Sequence, residues 1–297
     1  MENYFNSIRD IGMKVIPYDN IHFKDKLGEG ANGTVYEGLF ENKRYAFKRV
    51  SNHRVYTKYD RKVYEKDILN ELKMCSCLDS KRIMKVYGIS YDEINEEIYI
   101  CMELIKNKGC LFNYLQDEDL NVNQKLKIFL SIVLAVRDLH KGGYCHSDLK
   151  PENIVYYFDT KENKKYVKLI DFNCMTKISD GRIKYIPYSY GTYGYCSNEQ
   201  HKKEISLRSD IYSLGVILLE FVYGGDLWDT DFYNYQKYRK SIMEILESYK
   251  NKDYELYSIV KNCLKTTPEK RYSIDELYEK MKKFINDDRT HKKYRSN

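Results

Sequence analysis

The tightest constraint on this chain is an octapeptide, His146-Ser147-Asp148-Leu149-Lys150-Pro151-Glu152-Asn153, that runs straight into the apolar pentapeptide IVYYF. Asp171 follows Asn153 by eighteen residues, in Ile170-Asp171-Phe172-Asn173 after a second strand-like run, YVKLI. Two short acid-bearing loops beside such runs bring Asp148, Asn153 and Asp171 within reach of one another. One carboxylate and one amide oxygen suit a magnesium ion, which keeps its waters and bridges phosphate oxygens. The remaining aspartate is then free to accept a hydroxyl proton. Any one of these residues is ordinary in a turn; the whole pattern at this distance is not.

Far upstream lies a glycine-rich run, Gly28-Glu29-Gly30-Ala31-Asn32-Gly33-Thr34-Val35. Glycines at this spacing let backbone N–H groups approach phosphate oxygens without side-chain obstruction. The residues that follow alternate as a strand, TVYEGLF, which argues against a dinucleotide-binding βαβ unit, where a helix must come next. The ENK turn leads into RYAFKRV, and that hairpin carries Lys48, in Ala46-Phe47-Lys48, back beneath the glycine loop. A cation there can neutralise phosphate charge and needs a carboxylate to hold it. Glu71, on the next helical stretch, is a candidate, with Glu65 and Asp67 as rivals by position.

The chain divides by pattern. From Ile21 the punctuation is strand-like, and from about Tyr59 to Leu78 the period turns helical, with Val63, Asp67, Asn70, Glu71 and Met74 at three- and four-residue steps. RIMKVYGIS and EEIYICMEL read as strands around a YDEIN turn. Beyond Leu111 helices dominate, and residues 124–140 set Leu126, Phe129, Leu130, Val133, Leu134 and Val136 on one broad face. An α+β chain of two lobes follows, strand-rich over about 21–105 and helix-rich over about 106–285. Residues 1–20 read as a patternless leader onto the first strand, and 286–297 as a polar, basic tail.

Composition narrows the class. At 42% hydrophobic and 32% charged residues, with only 15 Gly and 4 Pro in 297, the chain can bury a core, which excludes disorder and low-complexity polymers. The longest apolar run, Ile211 to Tyr223, is broken by Glu220, so no stretch reaches the roughly 20 residues of a membrane span. MENYFNSIRD lacks the apolar run of a signal peptide, so an intracellular, cytoplasmic protein is expected. Eight cysteines without a C-x-x-C pair read as free thiols in a reducing compartment rather than as a zinc or disulfide framework. The net charge of +6 is spread among acids, and no nucleic-acid partner is expected. No pattern speaks to oligomeric state.

In order along the chain, these motifs resemble those of the eukaryotic-type protein kinases, over roughly residues 21–285. The resemblance implies a small β-rich lobe and a larger helical lobe with ATP between them. It implies that Gly28, Gly30 and Gly33 cover the ATP phosphates and that Val35 and Ala46 sandwich adenine. Lys48 then meets the α- and β-phosphates, with Glu71 as its ion-pair partner. Met102 falls at the gatekeeper position, and Glu103 to Ile105 form the hinge at the adenine edge. Asp148 matches the catalytic base and Lys150 the residue that steadies the transferring group, while Asn153 and Asp171 match the Mg2+ ligands. GTYGYCSNEQ resembles the end of an activation segment, in which Glu199 pairs with a late arginine, here Arg271. Asp210 matches the aspartate of the central buried helix. In this family Asp-Leu-Lys-Pro-Glu-Asn goes with serine and threonine acceptors on protein substrates, and Thr192 fits that preference.

Three departures stand out. Ser147 occupies the place of an arginine that, in the family, pairs with a phosphorylated activation-loop residue, so activity independent of such a phosphate is expected. Asn173 replaces the glycine of Asp-Phe-Gly, a mild exchange because asparagine tolerates positive φ. Ser197-Asn198-Glu199 keeps the acid of Ala-Pro-Glu and loses the proline. Thr176, Ser179, Ser189 and several tyrosines are candidate phosphorylation positions in the same segment. Two other readings remain: a pseudokinase that binds nucleotide and acts through partners, and a small-molecule kinase of the aminoglycoside or choline type. The second shares H-x-D-x-x-x-x-N, but the segment from Asp171 to Glu199 and the SDIYSLG helix argue against it.

Overall fold

Alternating apolar residues on either side of Glu41-Asn42 form a tight hairpin, β3 (Gly33–Phe40) and β4 (Lys43–Val50), with both turn residues at positive φ. The computed structural model describes residues 1–30, 33–50, 58–105, 108–111, 120–159, 164–178, 183–186, 191–223 and 235–287. It divides into two compact units, Met1–Asn107 and Lys108–Asn297. No described helix is long and apolar enough to cross a membrane.

The first unit is a six-stranded sheet with one long helix. The sheet adds β1 (Lys14–Pro17), β2 (His22–Gly30), β5 (Val86–Asp92) and β6 (Glu97–Glu103) in the order β1-β5-β6-β4-β3-β2. All neighbours are antiparallel except β1 and β5. Ile16, Ile21, Phe40, Phe47, Tyr99 and Cys101 form one buried cluster, with Tyr18, Phe23 and Tyr36 packed on it. Helix α2 (Lys58–Ser76) buries Ile68, Leu72 and Cys75, whereas Val63, expected on its regular face, is exposed. The period was right and the face was not.

The clearest departure lies in residues 1–20, expected as a leader. They form helix α1 (Glu2–Asp10) and strand β1, and Ile8, Met13 and Ile16 are buried. Only three buried apolar residues in seventeen give too weak a period to be seen in the sequence. The partner of β1 is also far along the chain, pairing Lys14 with Gly88 through Pro17 with Tyr91.

The second unit is helical around α3 (Val122–Lys141), which starts at a capping box of Asn121 and Gln124. It buries Leu126, Phe129, Val133 and Val136 as expected, together with Ile128, Ile132 and Ala135, while Leu130 and Leu134 are half-buried. Helix α5 (Leu207–Tyr223) is apolar on nearly all sides, the pattern of an interior helix. It packs on α3 and on α7 (Tyr254–Cys263), and α8 (Ile274–Asn286) packs on α3. IVYYF and YVKLI become β9 (Ile154–Asp159) and β10 (Lys164–Leu169), an antiparallel pair extended by β7 (Lys108–Cys110). β8 (Tyr144–Cys145) pairs with β11 (Thr176–Lys177), and β12 (Lys184–Tyr185) pairs with β13 (Glu204–Ile205). Two further helices are α4 (Asn198–His201) and α6 (Tyr235–Tyr249). Of the tail expected over 286–297, Asn286 closes α8, and 288–297 lie outside the described residues.

Candidate active site

In the first unit the sheet register aligns the phosphate-binding candidates. Gly28 and Gly30 on β2 face Val35 and Gly33 on β3, and Val35 in turn faces Lys48 on β4. Ala31 and Asn32, at the tip, lie outside the described residues. A Cβ on Gly28 or Gly30 would meet no atom within 4 Å, so internal packing does not demand glycine at either position. Bare backbone there suits close approach by a phosphate. Ala46, 3% exposed, pairs with Met102, and the Glu103 N–H donates to the Lys85 carbonyl while its carboxylate accepts from the Lys85 N–H. Leu104 is half-buried and Ile105 buried at the end of this strand.

The three carboxylates proposed as partners for Lys48 separate by environment. Glu65 accepts from Arg61 Nε at 3.0 Å, and Asp67 is exposed. Glu71 is half-buried, and its charge and that of Lys48 act in opposite senses on the same buried thiol, Cys75. That thiol is pushed well up, first by burial and then by Glu71. Both charges therefore stand in one neighbourhood.

In the second unit a hydrogen-bonded cluster surrounds Asp148. Thr192 Oγ1 donates to Asp148 Oδ1 at 2.7 Å, and Lys150 Nζ donates to Thr192 Oγ1 at 2.8 Å. Lys150 Nζ also stands 3.7 Å from Asp148 Oδ2. Asn153 Nδ2 donates to the Asp148 carbonyl at 2.8 Å and to Oδ2 at 3.2 Å. With its nitrogen engaged in this way, the Asn153 amide oxygen is the atom suited to a hard cation, and the fit to magnesium rests on it and on Asp171. The Ile170 N–H donates to the Asn153 carbonyl at 3.0 Å, which ties the two acid loops together directly before Asp171.

Two residues of this cluster carry left-handed backbone. Ser147 and Asp171 both have positive φ, 69° and 62°. Such conformations cost of order 1–3 kcal/mol and persist only where their surroundings enforce them. The expectation that Asn173 would need this tolerance is corrected: the left-handed residue of the trio is Asp171, and Asn173 is not among the positive-φ residues. Ser147 is enforced from both sides. Its N–H donates to Asp210 Oδ1 at 3.0 Å, and its carbonyl accepts from Gln200 Nε2 at 2.7 Å.

Asp210, fully buried on α5, also accepts from the His146 N–H and lies 2.8 Å from His140 Nε2. Glu199 meets Arg271 in a two-pronged pair at 2.5 and 2.9 Å, as the motif match implied. Gln200 closes the GTYGYCSNEQ run without a role assigned to it, and His140 falls in no motif; both act by burial. Thr176, a candidate phosphorylation position, is buried and donates to the Cys174 carbonyl; Ser179 and Ser189 lie outside the described residues. Among the described cysteines all are free, and burial pushes Cys174 and Cys196 up to about 12, so both stay protonated near neutral pH.

These surroundings set an acid limit. Burial alone would raise both Glu199 and Asp210, but Arg271 holds Glu199, and His140 with its neighbours holds Asp210, below the usual carboxylate range. A carboxylate depressed in the folded state adds stability above its unfolded pKa, about 4, and that contribution disappears as pH falls through the folded value. The melting temperature is therefore expected to fall as pH drops below about 4. The fall should be shallower in Glu199→Gln and Asp210→Asn. Identical acid slopes in all three chains would contradict the assignment.

Comparison with known proteins places this geometry. The protein kinase domain model matches residues 21–281, and the chain belongs to that family. Its sheet-built first unit and helical second unit are the small and large lobes of the protein kinase fold. The serine/threonine-protein kinase MPS1 of Encephalitozoon cuniculi is 27% identical over 283 residues, covering 89% of this chain and 43% of that protein. The probable serine/threonine-protein kinase fhkA of Dictyostelium discoideum is 26% identical, covering 86% and 48%. The MAP kinase kinase MKK1/SSP32 of Saccharomyces cerevisiae is 30% identical over 234 residues, covering 74% and 43%. The chain spans less than half the length of each of these relatives.

Proposed function

We propose that this chain is an active kinase that transfers the γ-phosphoryl group of Mg-ATP to serine and threonine hydroxyls of protein substrates. Gly28, Gly30 and Gly33 cover the phosphates, Lys48 held by Glu71 neutralises them, and Val35, Ala46, Met102 and Glu103 to Ile105 receive the adenine. Asn153 and Asp171 would hold magnesium, which would supply charge neutralisation at the phosphate oxygens. Asp148 orients the acceptor hydroxyl and takes its proton as the hydroxyl oxygen bonds to phosphorus and ADP leaves. Lys150 steadies the charge on the group in transit. The observation that carries this reading is the Asp148–Thr192–Lys150 cluster, which fixes base and cation on one hydroxyl of the segment that precedes Glu199.

Activity requires no phosphate on the activation segment. Where the family's arginine would await one, Ser147 is held by neutral groups and by buried Asp210. Labelled ATP with magnesium and a mixed basic protein substrate should give label on serine and threonine, to the same extent after the kinase has been treated with phosphatase. Loss of activity on phosphatase treatment, or label confined to tyrosine, would contradict this. Asn173 in place of glycine favours the second reading, a nucleotide-binding pseudokinase. Its mark would be stabilisation by ATP without transfer.

A further inference from the structure

Residues 2–17 carry none of the motifs, yet they are built into the first unit at both ends. β1 hydrogen-bonds in parallel along β5, and Ile16 enters the buried cluster of the sheet. The approach is close: a Cβ on Gly88 would lie 2.0 Å from the Lys14 carbonyl oxygen, so β1 can sit there only over a glycine. The turn that follows α1 is closed by the Met13 N–H donating to the Ile8 carbonyl, and Ile8 is fully buried. Helix α1 is thereby fastened to the sheet that also carries Lys48.

The free side of α1 packs on α2. Tyr4 is half-buried, and its hydroxyl has no hydrogen-bond partner among the described residues; the charges that act on it are Glu65, Arg61 and Glu71, all on α2. Phe5 stands 6.2 Å from the Tyr91 ring, and the Arg61 guanidinium lies over the same ring at 5.3 Å. Arg61 in turn bonds Glu65 on α2 and Glu96 after β5. By itself α2 presents a narrow apolar stripe of Ile68, Leu72 and Cys75. A helix so thinly seated is free to shift unless something braces its other side.

We propose that residues 2–17 form a strut between the sheet and α2, with Tyr4 as a positioning residue that keeps Glu71 beside Lys48. The role rests on the assignment of Lys48 and Glu71 to the nucleotide phosphates. It also accounts for an ordered α2 in a chain without the arginine that would read an activation-loop phosphate.

Two lesions in the whole 297-residue chain test the strut from opposite ends. Tyr4→Ala removes the contact on α2 and leaves β1 paired, while Gly88→Ala evicts β1 and touches neither helix. Each should raise the KM for ATP or lower kcat, on the order of tenfold or more in kcat/KM for ATP. The KM for protein substrate should stay within about twofold of wild type. Amide exchange over residues 61–76 should quicken in both. Tyr4→Phe, which keeps the ring and drops a hydroxyl without a partner, should behave as wild type. A lower melting temperature with unchanged kinetics per folded molecule would mean a purely structural segment and overturn the proposal. If Gly88→Ala fails to fold, Tyr4→Ala decides. If wild type transfers no phosphate, the proposed enzyme fails, but the exchange data still decide the strut: unchanged exchange in Tyr4→Ala overturns it.

Discussion

Asp148→Ala is expected to lower kcat by on the order of 10²- to 10⁴-fold, the usual contribution of a positioned general base. The effect belongs to kcat because Asp148 meets the acceptor proton and no part of the nucleotide in the proposed reaction. Its neighbours sharpen the expectation. Thr192 and Asn153 both donate to the Asp148 carboxylate, so alanine also deprives them of their acceptor. Thr192→Ala leaves the base in place and removes only the hydroxyl that bridges it to Lys150, so its loss should be smaller. Steady-state kinetics at saturating ATP give both numbers, and equal turnover by Asp148→Ala and wild type would end the assignment.

The largest effect on stability is expected from Arg271→Ala. The Arg271 and Glu199 side chains are 0% and 5% exposed, and the guanidinium also donates to the carbonyls of Lys265 and Arg208 while lying over the Tyr212 ring at 5.2 Å. Removing one partner of such a pair leaves a buried, uncompensated carboxylate, which costs about 3–5 kcal/mol. For a unit of this size that corresponds to a fall of roughly 6–20 °C in melting temperature. Arg271→Ala combined with Glu199→Gln should recover part of the loss, since no charge is then stranded. A double variant as unstable as the sum of the two single ones would show that the pair is not coupled.

Much of the site was legible because the chemistry fixes residue types at short spacings. Asp148, Lys150 and Asn153 lie within six positions, and the hairpin that brings Lys48 opposite Val35 follows from alternation and the turn at Asn42. Glu199 and Arg271 were paired by motif, across 72 positions of the chain. What escaped notice is held by burial and long-range packing. Gln200 reaches the Ser147 carbonyl, and His140 reaches Asp210, only because the fold carries them together. Helix α1 and β1 bury few apolar residues, and their partners, α2 and β5, come much later in the chain. The exposed Val63 and the half-buried Leu130 make the same point: period was legible, but which side met a neighbour depended on elements elsewhere.

The most direct measurement is γ-phosphate transfer from labelled Mg-ATP to a basic protein mixture, with Asp171→Asn run beside wild type and ATP-dependent thermal stabilisation recorded for both. Label on serine and threonine with wild type, and none with Asp171→Asn, is the predicted result and makes Ser147 and Asn173 tolerated departures. Stabilisation by ATP with no transfer by wild type would contradict the account and leave a nucleotide-binding module that acts through its partners.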